Sequence, residues 1–206
     1  MRQQRTHNES VPPFYKCKMS ILGIAANSAK ALSRPTNSVV PRWCKPEPRQ
    51  VKLNVDASFL ADMCAGSAGA VLRDYHGNFI AGSCVFLPYI STAEMAEALA
   101  MREGLSLANS VGCSAIIAEF DSIETIEACS GDEIWWNDSA AFFADCIDLV
   151  SAIGVVTFKH CPREANQVAH ELARTSFCNN STCRWLHDPP IFILGKLIND
   201  VTVVDV

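Results

Sequence analysis

The chain has 206 residues, 49% of them hydrophobic, enough to bury one domain of ordinary size with residues to spare. Its net charge of -5 is unevenly spread: residues 1–50 carry nine Lys and Arg against two Glu, and the remainder carries eight basic against twenty acidic groups. No apolar run reaches the roughly 18 residues of a membrane span, and no apolar stretch follows the N-terminus as in a signal peptide, so a nuclear or cytoplasmic protein with no membrane partner is expected.

Residues 1–49 show no periodicity, and Pro12, Pro13, Pro35, Pro41, Pro46 and Pro48 interrupt any element that starts there. A basic linker or disordered arm is expected, with an organellar transit segment over the acid-free stretch Met19 to Arg34 as the alternative. The ten cysteines lie scattered through apolar segments with no Cys-x-x-Cys pair, which reads as reduced buried thiols. A zinc site from Cys161, His170, Cys178 and Cys183 is the alternative, on irregular spacing.

From Val51 the pattern turns to strands: Val51–Leu60, Ala68–Asp74 and Asn78–Leu87, the last two joined by a Gly-containing turn at Tyr75-His76-Gly77. Ser91 or Thr92 then caps a helix with an apolar face of Met95, Ala98, Leu99, Leu105 and Ala108, ending near Asn109 to Gly112. Strand Ala115–Asp121, helix Ser122–Cys129, a break at Gly131, helix Ser139–Ile153, strand Val155–Cys161 and helix Arg163–Phe177 follow. A meander followed by strand and helix in alternation predicts an α/β domain over 50–178, with a mixed five-stranded sheet, three strands antiparallel and two parallel, flanked by helices. Residues 179–206 are expected as a C-terminal tail. Trp135-Trp136 with Phe142 and Phe143 flank a short amphipathic segment and read as packing rather than as a base-stacking platform.

Three carboxylates stand out. Asp56 lies within the strand-like run Lys52-Leu-Asn-Val-Asp-Ala-Ser58, and Asp121 ends the apolar strand Ala115-Ile-Ile-Ala-Glu-Phe-Asp121. Burying an acidic group there has a desolvation cost that a plain core does not call for, and bound divalent cations would offset it. Glu97 shares a helix face with Met101 and Leu105, which points it toward the sheet, whereas Glu94 is the more peripheral of the two. Taken singly, Asp56 also reads as a solvent-facing strand residue, Asp121 as a helix N-cap, and Glu97 as an ordinary helix surface residue. Carboxylates on a sheet and on the helix facing it can hold two Mg2+ ions about 4 Å apart.

In order along the chain, Lys52-Leu-Asn-Val-Asp-Ala-Ser58, Arg73-Asp-Tyr-His-Gly-Asn78, Ala96-Glu-Ala-Leu-Ala-Met-Arg-Glu-Gly-Leu105, Glu119-Phe-Asp-Ser122 and Pro162-Arg-Glu-Ala-Asn-Gln-Val-Ala-His-Glu-Leu-Ala173 resemble type 1 ribonuclease H domains. The likeness is greatest to the branch found in plant genomes downstream of non-LTR reverse transcriptases, with Trp43 and Pro46 before the domain and Trp185-Leu-His-Asp-Pro-Pro190 after it. The resemblance implies a ribonuclease H-like fold and hydrolysis of the RNA strand of an RNA–DNA hybrid by a monomer. It implies Asp56, Glu97 and Asp121 as ligands of two Mg2+ or Mn2+ ions. His160 falls where the family places a His that assists proton transfer and product release, a role that suits imidazole near neutral pH.

Two departures temper this reading. Four residues after Asn166 the family usually has a fourth acidic ligand, and here stands His170, a neutral nitrogen ligand that would favour Mn2+ over Mg2+. Pairing of His170 with Glu164 or Glu171 is its bland reading. The chain also has no Lys or Arg between Arg102 and Lys159, so the basic protrusion of some relatives is missing and nucleic-acid affinity should be modest and salt-sensitive. The alternative function is therefore a catalytically impaired nucleic-acid-binding or interaction module of retroelement origin.

Overall fold

The computed structural model describes residues 40–130 and 138–202. Strand β1 (Val51–Leu60) sits at the centre of the sheet. It pairs antiparallel with β2 (Ala65–Arg73), and β2 pairs antiparallel with β3 (Phe79–Pro88). On its other side β1 runs parallel to β4 (Ala115–Phe120), which runs parallel to β5 (Val155–His160). A sixth strand, β6 (Cys183–Leu186), adds antiparallel to β3, so the sheet has six strands, in the order β5-β4-β1-β2-β3-β6, where five were expected. Four residues at a sheet edge, with Leu186 half exposed, have neither the length nor the alternation that marks a strand. The expected tail thus contains a strand and, after it, a helix.

Turn chemistry fixes the meander. Asp74 accepts hydrogen bonds from the backbone N–H of His76 and of Asn78 at 2.9 and 2.8 Å, and Gly77 takes the left-handed φ of 89° that closes the hairpin. Between β1 and β2 a short 3-10 turn, Ala61–Met63, ends on Cys64 in the left-handed region, and β2 therefore starts at Ala65 rather than Ala68.

Period-two alternation divides β1 between two cores. Leu53 and Val55 face helix α1 (Ala93–Ser110), whose N-cap Thr92 accepts from the Met95 N–H at 3.1 Å. Helices α2 (Ile123–Ser130) and α3 (Ala140–Ile153) complete that layer, burying Cys129, Phe143 and Cys146. Gly104 lets α1 approach closely, because a Cβ there would sit 2.6 Å from Val55 Cγ2. Glu97, seven residues earlier, lies on the same helix face.

The opposite face of β1 is polar and buried: Lys52, Asn54 and Asp56 are 5%, 0% and 5% exposed. Helix α4 (Gln167–Asn179) and helix α5 (Ile191–Thr202) cover this side with a second core of Val71, Val168, Leu172, Ile193 and Leu197. The expected helix from Arg163 begins instead as a 3-10 turn, Arg163–Ala165, and becomes α-helical only after Asn166.

Gly69 is opposite Asp56 in the β1–β2 register and underlies α4. A Cβ at Gly69 would meet Ala169 O at 2.2 Å and Ala173 N at 2.4 Å, helix backbone that has no rotamer through which to yield. Gly69→Ala is expected to destabilise the domain by about 1–3 kcal/mol through overpacking, read as a lower urea midpoint at unchanged m-value. An unshifted midpoint would mean that α4 does not seat on β2 as described.

Candidate active site

Five segments carry the candidate residues. Asn54 pairs with Glu119 in the parallel β1–β4 register, so two residues further on Asp56 and Asp121 stand level. Glu97 comes from α1, and His170 from the first turn of α4. His160 ends β5 opposite Phe120, one residue before Asp121, and is exposed.

Each acid is engaged by a different internal partner. Asp56 Oδ2 is 2.9 Å from His170 Nδ1, and with the carboxylate ionised the ring N–H is the donor. Glu97 Oε2 accepts from Thr125 Oγ1 at 3.0 Å, and Thr125 in turn lies 3.0 Å from Ser122 Oγ, which also caps the Thr125 N–H. Asp121 Oδ2 accepts from Arg163 Nε at 2.7 Å. His170 thus pairs with Asp56 rather than with Glu164 or Glu171. Ser122, not Asp121, caps the following helix.

Electrostatics follow from these contacts. Burial pushes the Asp56 carboxyl above its ordinary range, against the lowering pull of His170. The hydrogen bond to Asp56 raises His170 above the usual imidazole value. Both shifts stand together because burial acts mainly on the enclosed carboxylate, whereas the His170 side chain is 42% exposed and keeps water. Arg163 is raised by its bond to Asp121, with further attraction from Asp56 and Glu97, so all three carboxylates act on one cation.

The acids do not close into a single coordination sphere. Among the described residues, no three Asp, Glu, His or Cys side chains are grouped to hold one ion. Three like charges repel, and each has taken a separate donor instead. Nor are Cys161, His170, Cys178 and Cys183 grouped to hold a zinc ion among the described residues. Phe143 is buried and Phe142 packs against the core, as expected of packing residues, while Trp135 and Trp136 lie outside the described residues.

Three site residues carried no role in the sequence reading. Arg163 and Thr125 hold Asp121 and Glu97, and Asn166, 2% exposed, donates Nδ2 to Val55 O at 2.7 Å and so ties the start of α4 to the strand carrying Asp56. Asn166 Oδ1 is buried with no hydrogen-bond partner, and Glu94, expected to be a bystander, lines a hollow of about 330 Å³ with Glu97, Glu124, Thr125 and Phe143.

The reverse transcriptase-like family profile matches residues 54–176. No curated protein matches the chain. Among solved structures, ribonuclease H1 from the halophilic archaeon Halobacterium salinarum is 20% identical, with a TM-score of 0.58 over 64% of this chain and 99% of that one. The N-terminal ribonuclease H domain of a Mycobacterium tuberculosis protein, solved as a fusion with maltose-binding protein, is 22% identical, with a TM-score of 0.57 over 62% and 92%. LC11 ribonuclease H1, isolated from compost by a metagenomic approach and solved in complex with an RNA/DNA hybrid, is 19% identical, with a TM-score of 0.57 over 63% and 97%. These likenesses show the fold, a mixed sheet of parallel and antiparallel strands flanked by helices.

Proposed function

The chain belongs to the reverse transcriptase-like family of ribonuclease H-fold domains, and from that premise we propose that it hydrolyses the RNA strand of RNA–DNA hybrids. The observation that carries the reading is the β1–β4 register that sets Asp56 and Asp121 level at one end of the sheet, with a cationic group, Arg163, held 2.7 Å from Asp121 Oδ2. A guanidinium paired with one of these acids is a stand-in for a metal cation, and hard anionic oxygens suit Mg2+ or Mn2+. Asp56, Glu97 and Asp121, with His170 in the fourth position, would hold two such ions. When bound, the ions supply an activated water and stabilise the leaving oxygen of the phosphodiester.

The protein's own residues orient these groups. Thr125 fixes the rotamer of Glu97, and His170 fixes that of Asp56. His160, exposed at the end of β5 opposite Phe120, would pass a proton to the departing RNA 3′-oxygen. A hybrid duplex carries 2′-hydroxyls on one strand only, which is how a protein of this kind selects RNA without reading sequence.

The test is cleavage of a hybrid labelled on each strand in turn, with Mg2+ and with Mn2+. Cutting confined to the RNA strand supports the reading, and no cleavage with either ion overturns it. The second reading, a retroelement-derived binding module without turnover, draws on the engaged state of all three carboxylates. Hybrid binding with no cleavage would select it.

His170→Asp gives a further expected outcome. It places a hard oxygen where a ring nitrogen now meets Asp56, so the metal optimum should shift from Mn2+ toward Mg2+, with a rate gain in Mg2+ on the order of tenfold, the scale on which ligand-shell changes act. Identical titrations with both ions would remove His170 from the site.

A further inference from the structure

We propose that Arg163 is the resident counter-cation of this site and that a divalent ion binds only by displacing it. The inference rests on the metal-dependent reading above and adds a competitor built into the chain. Arg163 Nε is 2.7 Å from Asp121 Oδ2, and the fields of Asp56 and Glu97 favour its charge as well. The two halves of the pair differ in freedom, since the Asp121 side chain is 14% exposed and the Arg163 side chain 77%. The acid is anchored, and the guanidinium is the half that can leave.

The backbone beneath Arg163 is held close to the acids. Pro162 O accepts from the Ala165 N–H at 2.9 Å, Gln167 Nε2 donates to Arg163 O at 2.9 Å, and Asn166 is tied to Val55 O. The segment from 163 to 170 therefore presents two nitrogen groups to the acids from one short stretch, Arg163 to Asp121 and His170 to Asp56. A divalent ion bound through Asp121 Oδ2 takes the oxygen that Arg163 holds. The ion's apparent affinity is lowered by the strength of that pair, and the metal-free domain is spared part of its carboxylate repulsion.

The experiment measures Mn2+ binding to the full chain without nucleic acid, from the electron paramagnetic resonance signal of free Mn2+. Because the pair is largely exposed on the arginine side, Arg163→Gln should bind Mn2+ about fivefold tighter than the wild type. Arg163→Lys, which keeps the charge, should stay within about twofold of the wild type. Arg174→Gln removes an equal charge from α4, where Arg174 pairs with Glu171, and should leave Mn2+ affinity unchanged. Circular dichroism checks that all variants fold. Equal affinity in Arg163→Gln and wild type overturns the proposal, and so does an equal gain in Arg174→Gln, which would reduce the effect to net charge. If wild type and Arg163→Gln both fail to bind at millimolar Mn2+, the metal-dependent reading itself falls and the proposal falls with it.

Discussion

Asp56→Asn is expected to lower hybrid cleavage by more than about a hundredfold, since removing even an outer partner of a metal ligand costs 10–100-fold and this change removes a ligand. The fold should survive the same change. Asp56 is 5% exposed and burial already disfavours its charge, so the neutral isostere relieves a desolvation penalty while weakening the bond with His170. Stability within about 1 kcal/mol of wild type is the expected balance of those two effects. Single-turnover cleavage and urea unfolding on one preparation separate them. Cleavage retained within tenfold would place the chemistry elsewhere; lost cleavage in an unfolded protein would leave Asp121→Asn as the deciding variant.

That prediction is legible in the sequence because its residues sit on regular elements. An acid inside an apolar strand marks Asp56, and a parallel strand ending on an acid marks Asp121; the Asn54–Glu119 register then sets the two level. The helical face shared by Glu97, Met101 and Leu105 likewise points Glu97 inward, where Thr125 meets it. Arg163 was not legible in the same way. An ion pair across 42 residues of chain leaves no periodicity, and the four residues of β6 are too few to show a pattern. One signal was available: Arg163 is among the few bases in an acidic body and lies within the segment that also carries Asn166 and His170.

The polar face of β1 was also hidden, since it depends on residues from both flanks of the sheet. Trp43 donates its indole N–H to Asn54 Oδ1 at 2.8 Å and is 4% exposed, although it precedes the expected start of the domain at residue 50. Asp200 reaches the same cluster from α5, beyond the expected end at residue 178. Between them lies Arg73, which reads in sequence as part of a hairpin and in the fold is one of the largest fully buried side chains.

Arg73 should accordingly be the most sensitive position for stability. Its guanidinium donates to Asp200 Oδ2 at 2.7 Å and to Asn54 Oδ1 at 3.0 Å and stacks on the Trp43 ring with 3.5 Å to the centroid. Arg73→Met preserves most of the volume but strands Asp200, whose side chain is only 14% exposed. Breaking one half of a buried pair costs about 3–5 kcal/mol, and that loss is expected in urea unfolding, with the tryptophan fluorescence transition moving together with the global one. Removing both halves is milder, because no charge is then left buried alone. Arg73→Met with Asp200→Leu should recover at least about half of the loss, a coupling that a double-mutant cycle reads directly. A single variant within about 1 kcal/mol of wild type would show that the cluster fills space without fastening the two flanks. The cycle also bears on the active site, since Asn54 is bonded to Arg73, Trp43 and Glu119 and lies two residues from Asp56 on the same face of β1. Loosening Arg73 frees that strand where Asp56 must be held, so the double variant should regain its cleavage rate only to the extent that it regains its stability.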